Sequence, residues 1–290
     1  MGSVRTSREP VLRRAARLGL AALSGCLAVP MALAEIPDRI VSMNLCTDQL
    51  AMMLAGPGQY LSVSQIALDP LSSPMAEQAR HYPINHGGAE EIFLMRPDLV
   101  LAGQYSDFNT VAMLRRLGVP VVQIDLVRSL GEVSDRVLAV GAALGRMEAA
   151  QENVDGFETT LEELRPTDGL KPRAAFFYPN GYTLGTGTLS DDLLTYAGFT
   201  NIAVELGYSF GGRLPLESLV VAAPDLFIRS DLYAGSSRSE EILEHPALAA
   251  IGDGKGGFVS TSDWVCGTPF VLNALTDLKA VRAAILSGAE

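Results

Sequence analysis

Short apolar runs recur along this chain at residues 39–43, 99–102, 121–125, 173–178, 226–229 and 258–260. Each is of strand length. Between them lie stretches in which apolar residues return every three or four positions, the helical period. Residues 47–55 follow the first run as a helix, with Thr47 as candidate N-cap. Residues 190–197 form a second helix of this kind, with Ser190 as cap and Gly198 as its stop. Such alternation predicts α/β layering with largely parallel sheets.

The middle of the chain is helical throughout. Apolar residues fall at Leu130, Val133, Val137, Val140 and Leu144, then at Val154, Phe157, Leu161 and Leu164. Gly145 divides this stretch into two helices. The second connects two halves with the same element order. The expected division is a leader at 1–34, an N-terminal α/β lobe at 35–145, a connecting helix at 146–165 and a C-terminal α/β lobe at 166–290. These are two Rossmann-like lobes joined by a long helix. A helical connection is stiffer than a loop and favours small rocking over wide closure.

One detail turns the likeness of the halves into a repeat. Glu90 stands seven residues before Pro97, Asp98 and Leu99; Glu217 stands seven before Pro224, Asp225 and Leu226. Each Glu opens a short helix, where its charge suits the helix dipole. Each Pro ends that helix and turns the chain into a strand. Each Glu also follows a Gly–Gly pair, Gly87–Gly88 and Gly211–Gly212.

Composition narrows the classes of function. The chain is 48% hydrophobic and 19% charged, unlike a disordered protein. Its formal net charge of −11 leaves no basic footprint for nucleic acid. Three histidines and three cysteines supply neither a histidine cage nor a disulfide-dense scaffold. Residues 1–34 read as an export signal: a basic stretch, an apolar run interrupted by Ser24, Gly25 and Pro30, and an Ala-x-Ala site ending at Ala34. Cleavage after Ala34 would release the protein to the periplasm. The alternative is a lipoprotein anchored at Cys26. Either way Cys46 and Cys266 remain, in an oxidising compartment.

The stretches RIVSMNLCTDQL at 39–50 and AEEIFLMRPDLV at 89–100 resemble the iron-siderophore/vitamin B12 periplasmic binding family. The resemblance runs from about Ile36 to near the C-terminus. It implies a monomer that captures a metal chelate (ferric siderophore, cobalamin or haem) and delivers it to an inner-membrane ABC permease. It also implies that Glu90 and Glu217 dock the two lobes onto that permease. The other reading of these glutamates is helix stabilisation alone. No cofactor is expected. A haem or free-metal-ion receptor of the same architecture is an alternative, although the residues assemble no metal cage.

In open parallel sheets, ligands bind beyond the carboxyl ends of the strands. The loops there carry the candidate ligand contacts Asn44, Cys46, Gln104, Tyr105, Tyr182, Arg213, Arg229, Tyr233 and Trp264. The aromatic residues offer broad contact area with a polar edge, and the arginines could pair with an anionic chelate. Tyr105 also resembles a ligand-contacting tyrosine of ferric hydroxamate binders. His86 is a weaker candidate, and solvation or a structural role is its plainer reading. Cys46 and Cys266 lie on cleft loops of opposite lobes; a disulfide and two inert thiols are both open readings. An exported enzyme is the alternative from another class. Its best support is the glycine-rich stretch at 181–187, which matches neither the P-loop nor the dinucleotide fingerprint.

Overall fold

The computed structural model describes residue 2 and residues 36–165, 169–235, 237–248, 251 and 257–288. The stretch expected to be an export signal, residue 2 apart, and Cys26 with it lie outside the described residues. No described helix is long and apolar enough to cross a membrane.

The first lobe is a five-stranded parallel sheet in the order β3-β2-β1-β4-β5. Its strands are β1 (Ile40–Ser42), β2 (Tyr60–Ser64), β3 (Ile84–Asn85), β4 (Leu99–Gly103) and β5 (Val121–Ile124). β1 and β4 are buried along their whole length, as central strands of a covered parallel sheet must be. The crossovers contain α1 (Leu45–Leu54), α2 (Ala76–Ala79), α3 (Ala89–Leu94) and α4 (Phe108–Arg116). The second lobe is a four-stranded parallel sheet in the order β11-β10-β6-β8. It comprises β6 (Arg173–Phe176), β8 (Thr200–Asn201), β10 (Leu226–Ser230) and β11 (Phe258–Ser260), with α7 (Leu189–Tyr196), α8 (Ile202–Glu205), α9 (Leu216–Ala222) and α10 (Val271–Gly288).

Two helices join the sheets. α5 (Gly131–Leu144) buries Val133, Val137, Val140 and Leu144, and ends on Gly145 in the left-handed region at φ 65°. α6 (Met147–Glu163) then spans roughly 26 Å at the helical rise. It packs back on α5 so closely that a Cβ on Gly141 would lie 2.3 Å from that of Ala150. At its far end the Leu161 carbonyl accepts a hydrogen bond from Tyr196 Oη at 2.6 Å, and the Leu164 carbonyl one from Lys279 Nζ at 2.7 Å. One hydrophobic cluster runs through both lobes, from Ile40 and Leu101 to Phe176 and Leu275.

Several local expectations are corrected. Asn44, not Thr47, caps α1: its Oδ1 accepts from the Cys46 N–H at 3.1 Å. Thr47 is buried in the first turn, its hydroxyl 2.7 Å from that of Ser42. Thr188, not Ser190, caps α7. The glycine-rich stretch is not a single loop running from strand to helix. It forms β7 (Tyr182–Leu184), antiparallel to β9 (Gly211–Arg213). Gly185 is needed there for close approach, because a Cβ would sit 2.1 Å from the Tyr208 carbonyl oxygen. Gly211 and Gly212 therefore belong to a strand, whereas Gly88 is the N-cap of α3; the two pairs are not equivalent.

The rest of the repeat is closer than the motif alone suggests. After α3, Arg96 takes a left-handed φ of 51°; after α9, Ala223 takes 46°, each just before the proline. Asp98 accepts the backbone N–H groups of Asp38 and Arg39 at 2.9 and 3.0 Å. Asp225 accepts that of Arg173 at 2.7 Å. The Arg39 side chain donates to the carbonyls of Met95 and Arg96, and the Arg173 side chain to that of Ala222. In both lobes, then, an arginine beside the first central strand clips the carboxyl end of the helix carrying the glutamate.

Candidate functional site

Loops leaving the carboxyl ends of both sheets face each other, and two cavities lie between them. The larger, of 580 Å³, is walled by Leu71 and Ser72 from the first lobe and by Tyr178, Ser230, Tyr233 and Thr261 from the second. The other, of 460 Å³, is walled by Tyr105 and Arg128 from the first and by Tyr182, Thr188 and Phe210 from the second. Leu184, Ser190, Trp264 and Val265 line both. The two cavities are compartments of one cleft with a ridge between them.

The ridge has a rigid base. Trp264 is only 7% exposed and packs edge-on against Phe176, with ring centroids 6.0 Å apart, and tilted against Phe258 at 6.1 Å. Its indole N–H is buried without a hydrogen-bond partner, an unfavourable arrangement in a core. Two residues on, Cys266 is bonded to Cys46 with a Cα separation of 5.3 Å. This bond crosses from one lobe to the other. Beside it, the buried Thr268 hydroxyl donates to Gln49 Oε1 at 3.0 Å.

Both compartments are bridged across the cleft. In the larger, Tyr233 Oη donates to Asp69 Oδ2 at 2.7 Å and lies 3.3 Å from the Ser72 hydroxyl. Burial pushes the Asp69 carboxyl up, but hydrogen bonds from Tyr233, Ser72 and the Leu71 N–H outweigh it and hold its pKa below the ordinary value. Burial raises Tyr178, in the wall, to about 12, so its hydroxyl stays protonated. In the smaller compartment the Arg128 guanidinium lies over the Phe210 ring, 5.3 Å from its centroid.

The structure gathers Tyr105, Tyr182, Tyr233 and Trp264 around the cleft. Asn44, Cys46 and Gln104 line a side pocket of 80 Å³ shared with Tyr105. There Asn44 serves as a cap, and Gln104 Oε1 accepts the Leu126 N–H at 3.2 Å. Arg213 and Arg229 do not line the two larger cavities. Arg213 Nε donates to the Asn180 carbonyl at 3.0 Å, and Arg229 Nη1 to that of Ser230 at 3.2 Å. His86 pairs with Glu91 at 3.1 Å, away from the two cavities. Glu90 and Glu217 are exposed in the first turns of α3 and α9.

Asp69, Ser72, Arg128 and Phe210 are cleft residues that sequence reasoning missed. Arg128 follows the run at 121–125, so the strand-end rule applied to that run would have found it. Asp69 and Ser72 follow β2, a strand whose short mixed sequence gave no clear run. Phe210 carries no sequence signal, because the β7–β9 pairing brings it to the cleft.

Known proteins resemble this chain in sequence and in fold. The sequence profile described as periplasmic binding protein matches residues 40–256. A cobalamin-binding protein of Halobacterium salinarum is 27% identical over 198 residues, 66% of this chain and 53% of that protein. The chain thus spans about half the length of the curated relatives it matches. The apo periplasmic heme-binding protein RhuT of Roseiflexus sp. RS-1 is 24% identical, with a TM-score of 0.71 over 87% of this chain and 99% of its own. The periplasmic vitamin B12 binding protein BtuF of Vibrio cholerae is 20% identical, with a TM-score of 0.67 over 87% and 98%. At these identities the two structures show a shared fold.

Proposed function

The chain belongs to the periplasmic binding protein family, and from this we propose that it captures a metal chelate in the interlobe cleft and delivers it to an ABC importer. A ferric siderophore and cobalamin are the leading ligands, with haem third. The observation that carries the reading is the cleft itself. Two compartments of 580 and 460 Å³ lie where the carboxyl ends of two parallel sheets converge, with six aromatic side chains around them. Concave, aromatic-walled space of this size suits a large ligand that needs no chemistry from its carrier. Binding would favour the closed pair of lobes, and release would follow when the permease draws them apart. The reading places the protein in the periplasm. The cobalamin-binding relative supports it.

The same reading assigns Glu90 and Glu217 to permease docking. Both are exposed at the starts of helices held by equivalent arginine clips. Two separated carboxylates on rigid supports offer both charge complementarity and orientation to a basic surface.

Trp264 is the sole tryptophan and lines both compartments. Titration of the purified protein with ferric siderophores, cyanocobalamin and haemin should quench or shift its fluorescence saturably for one of them. Calorimetry should confirm sub-micromolar affinity. Absence of binding across the panel would overturn the chelate-receptor reading and leave the family assignment intact.

A further inference from the structure

We propose that Phe210 and Arg128 together form a recognition element for a planar, π-bearing and negatively charged face of the chelate. This rests on the receptor reading above and narrows its substrate class.

The first observation is the conformation of Phe210. It is one of four described non-glycine residues at positive φ, and its φ is 60°. A bulky residue in that region is strained, and such strain persists where surrounding structure enforces it. Here two backbone hydrogen bonds do so. The Phe210 N–H donates to the Thr186 carbonyl at 2.7 Å, and the Gly185 N–H donates to the Phe210 carbonyl at 3.0 Å. The ring lies against Gly187, where a Cβ would come within 3.2 Å of its edge. Yet the residue remains 57% exposed, so this ordering buries little of the ring. A strained, rigidly held aromatic face directed into a cleft is better suited to meeting a ligand than to supporting the fold.

The second observation is the charge beside it. Arg128 comes from the opposite lobe and lies over the ring. It is the only charged residue among the described lining of the 460 Å³ compartment, whereas the 580 Å³ compartment carries Asp231 and several hydroxyls. The cleft is therefore electrically asymmetric. A guanidinium can stack on a π face and still present its edge as a bidentate donor to an anion. A flat anionic group entering this compartment meets the phenyl ring, the guanidinium and the exposed Tyr105 and Tyr182 together. A neutral chelate can accept hydrogen bonds from the arginine but gains no charge pairing.

The test uses four probes: haemin, a ferric tricatecholate, a ferric trihydroxamate and cyanocobalamin. The first two are flat-faced anions and the last two carry no net negative charge. The native protein should bind one of the anionic probes about tenfold or more tightly than either neutral probe. Arg128→Gln should weaken that probe by about tenfold or more, reduce the salt dependence of binding, and move the neutral probes far less. Phe210→Gly should weaken it comparably while the melting temperature holds or rises, because glycine adopts this φ without strain. A structural Phe210 would lower the melting temperature instead. Tight binding of a neutral probe that ignores both substitutions would overturn the proposal and leave the receptor reading standing. Loss of all four probes together with a lowered melting temperature would show these to be fold residues, and would overturn it too. Failure of the native protein to bind any probe would overturn both readings.

Discussion

At the residue scale, Asp48 is the most unusual group in the first lobe. It is fully buried in the first turn of α1. It accepts hydrogen bonds from Tyr60 Oη at 2.9 Å, from the Ser64 N–H at 3.1 Å and from the Ser64 hydroxyl. Burial raises its pKa to about 6, against the pull of those hydrogen bonds. Between the ordinary value of 3.8 and about 6, the folded state holds a proton that the unfolded chain has released. Stability from this group is thus full below pH 4 and lost as pH rises through about 6. The loss should be on the order of 2–3 kcal/mol. Asp48→Asn should remove it, so denaturant unfolding at pH 4 and pH 7 should show the variant gaining on the native protein at the higher pH. A constant difference between the two would contradict the assignment. Single side chains also explain the misplaced caps. Thr47 and Ser190 have suitable chemistry, but Asn44 and Thr188 take extended backbone and reach the first free N–H groups.

At the element scale, α3 and α9 are two versions of one device. Each presents an exposed glutamate, then a left-handed residue and a proline at its end, and an arginine clip beneath. Each also exposes apolar side chains one turn beyond the glutamate: Leu94 is 71% exposed and Val221 85%, with Phe93 and Val220 beside them. Glutamate and apolar pair recur in the same order on both helices, which suits a partner with two similar sockets. Glu90→Arg combined with Glu217→Arg should abolish chelate uptake in cells while leaving chelate affinity unchanged in a binding titration. Normal uptake by that double variant would sink the docking assignment. The order from Glu to Pro-Asp-Leu was legible because helix ends and strand starts are local. The clips were not, since Arg39 and Arg173 are distant in sequence from the helices that they hold.

At the scale of the whole molecule, the lobes are joined by more than the helical connection. They share one hydrophobic cluster, and the Leu130 N–H donates to Asp192 Oδ2 across the junction at 2.7 Å. The Cys46–Cys266 bond ties them at the ridge, while Tyr233 and Asp69 meet across the larger compartment. A covalent tie at the ridge and exposed contacts at the compartments favour rocking about the ridge over wide opening. The disulfide closes a loop across 220 residues, so loop entropy assigns it roughly 5–5.5 kcal/mol of stability. Cys46→Ser with Cys266→Ser should lower the melting temperature by about 10 °C or more in calorimetry. A shift of only about 2 °C would show that the shared core already holds the lobes together.

What the sequence determined by itself was whatever is written in neighbouring residues. Periodicity showed the central strands and the paired helices at 131–163, and the Glu and Pro-Asp-Leu motifs showed the repeat. Strand ends then pointed to the loops carrying Tyr105, Tyr182, Tyr233 and Trp264. Tertiary structure decided what depends on distant segments meeting. It bonded Cys46 to Cys266, kept Arg213 and Arg229 out of the two cavities, turned a glycine-rich stretch into a strand, and set Phe210 beneath Arg128. The physical reason is the same in each case. A helix or strand signal lies in local backbone preference and spacing, whereas a cleft contact depends on packing between residues that the sequence keeps far apart.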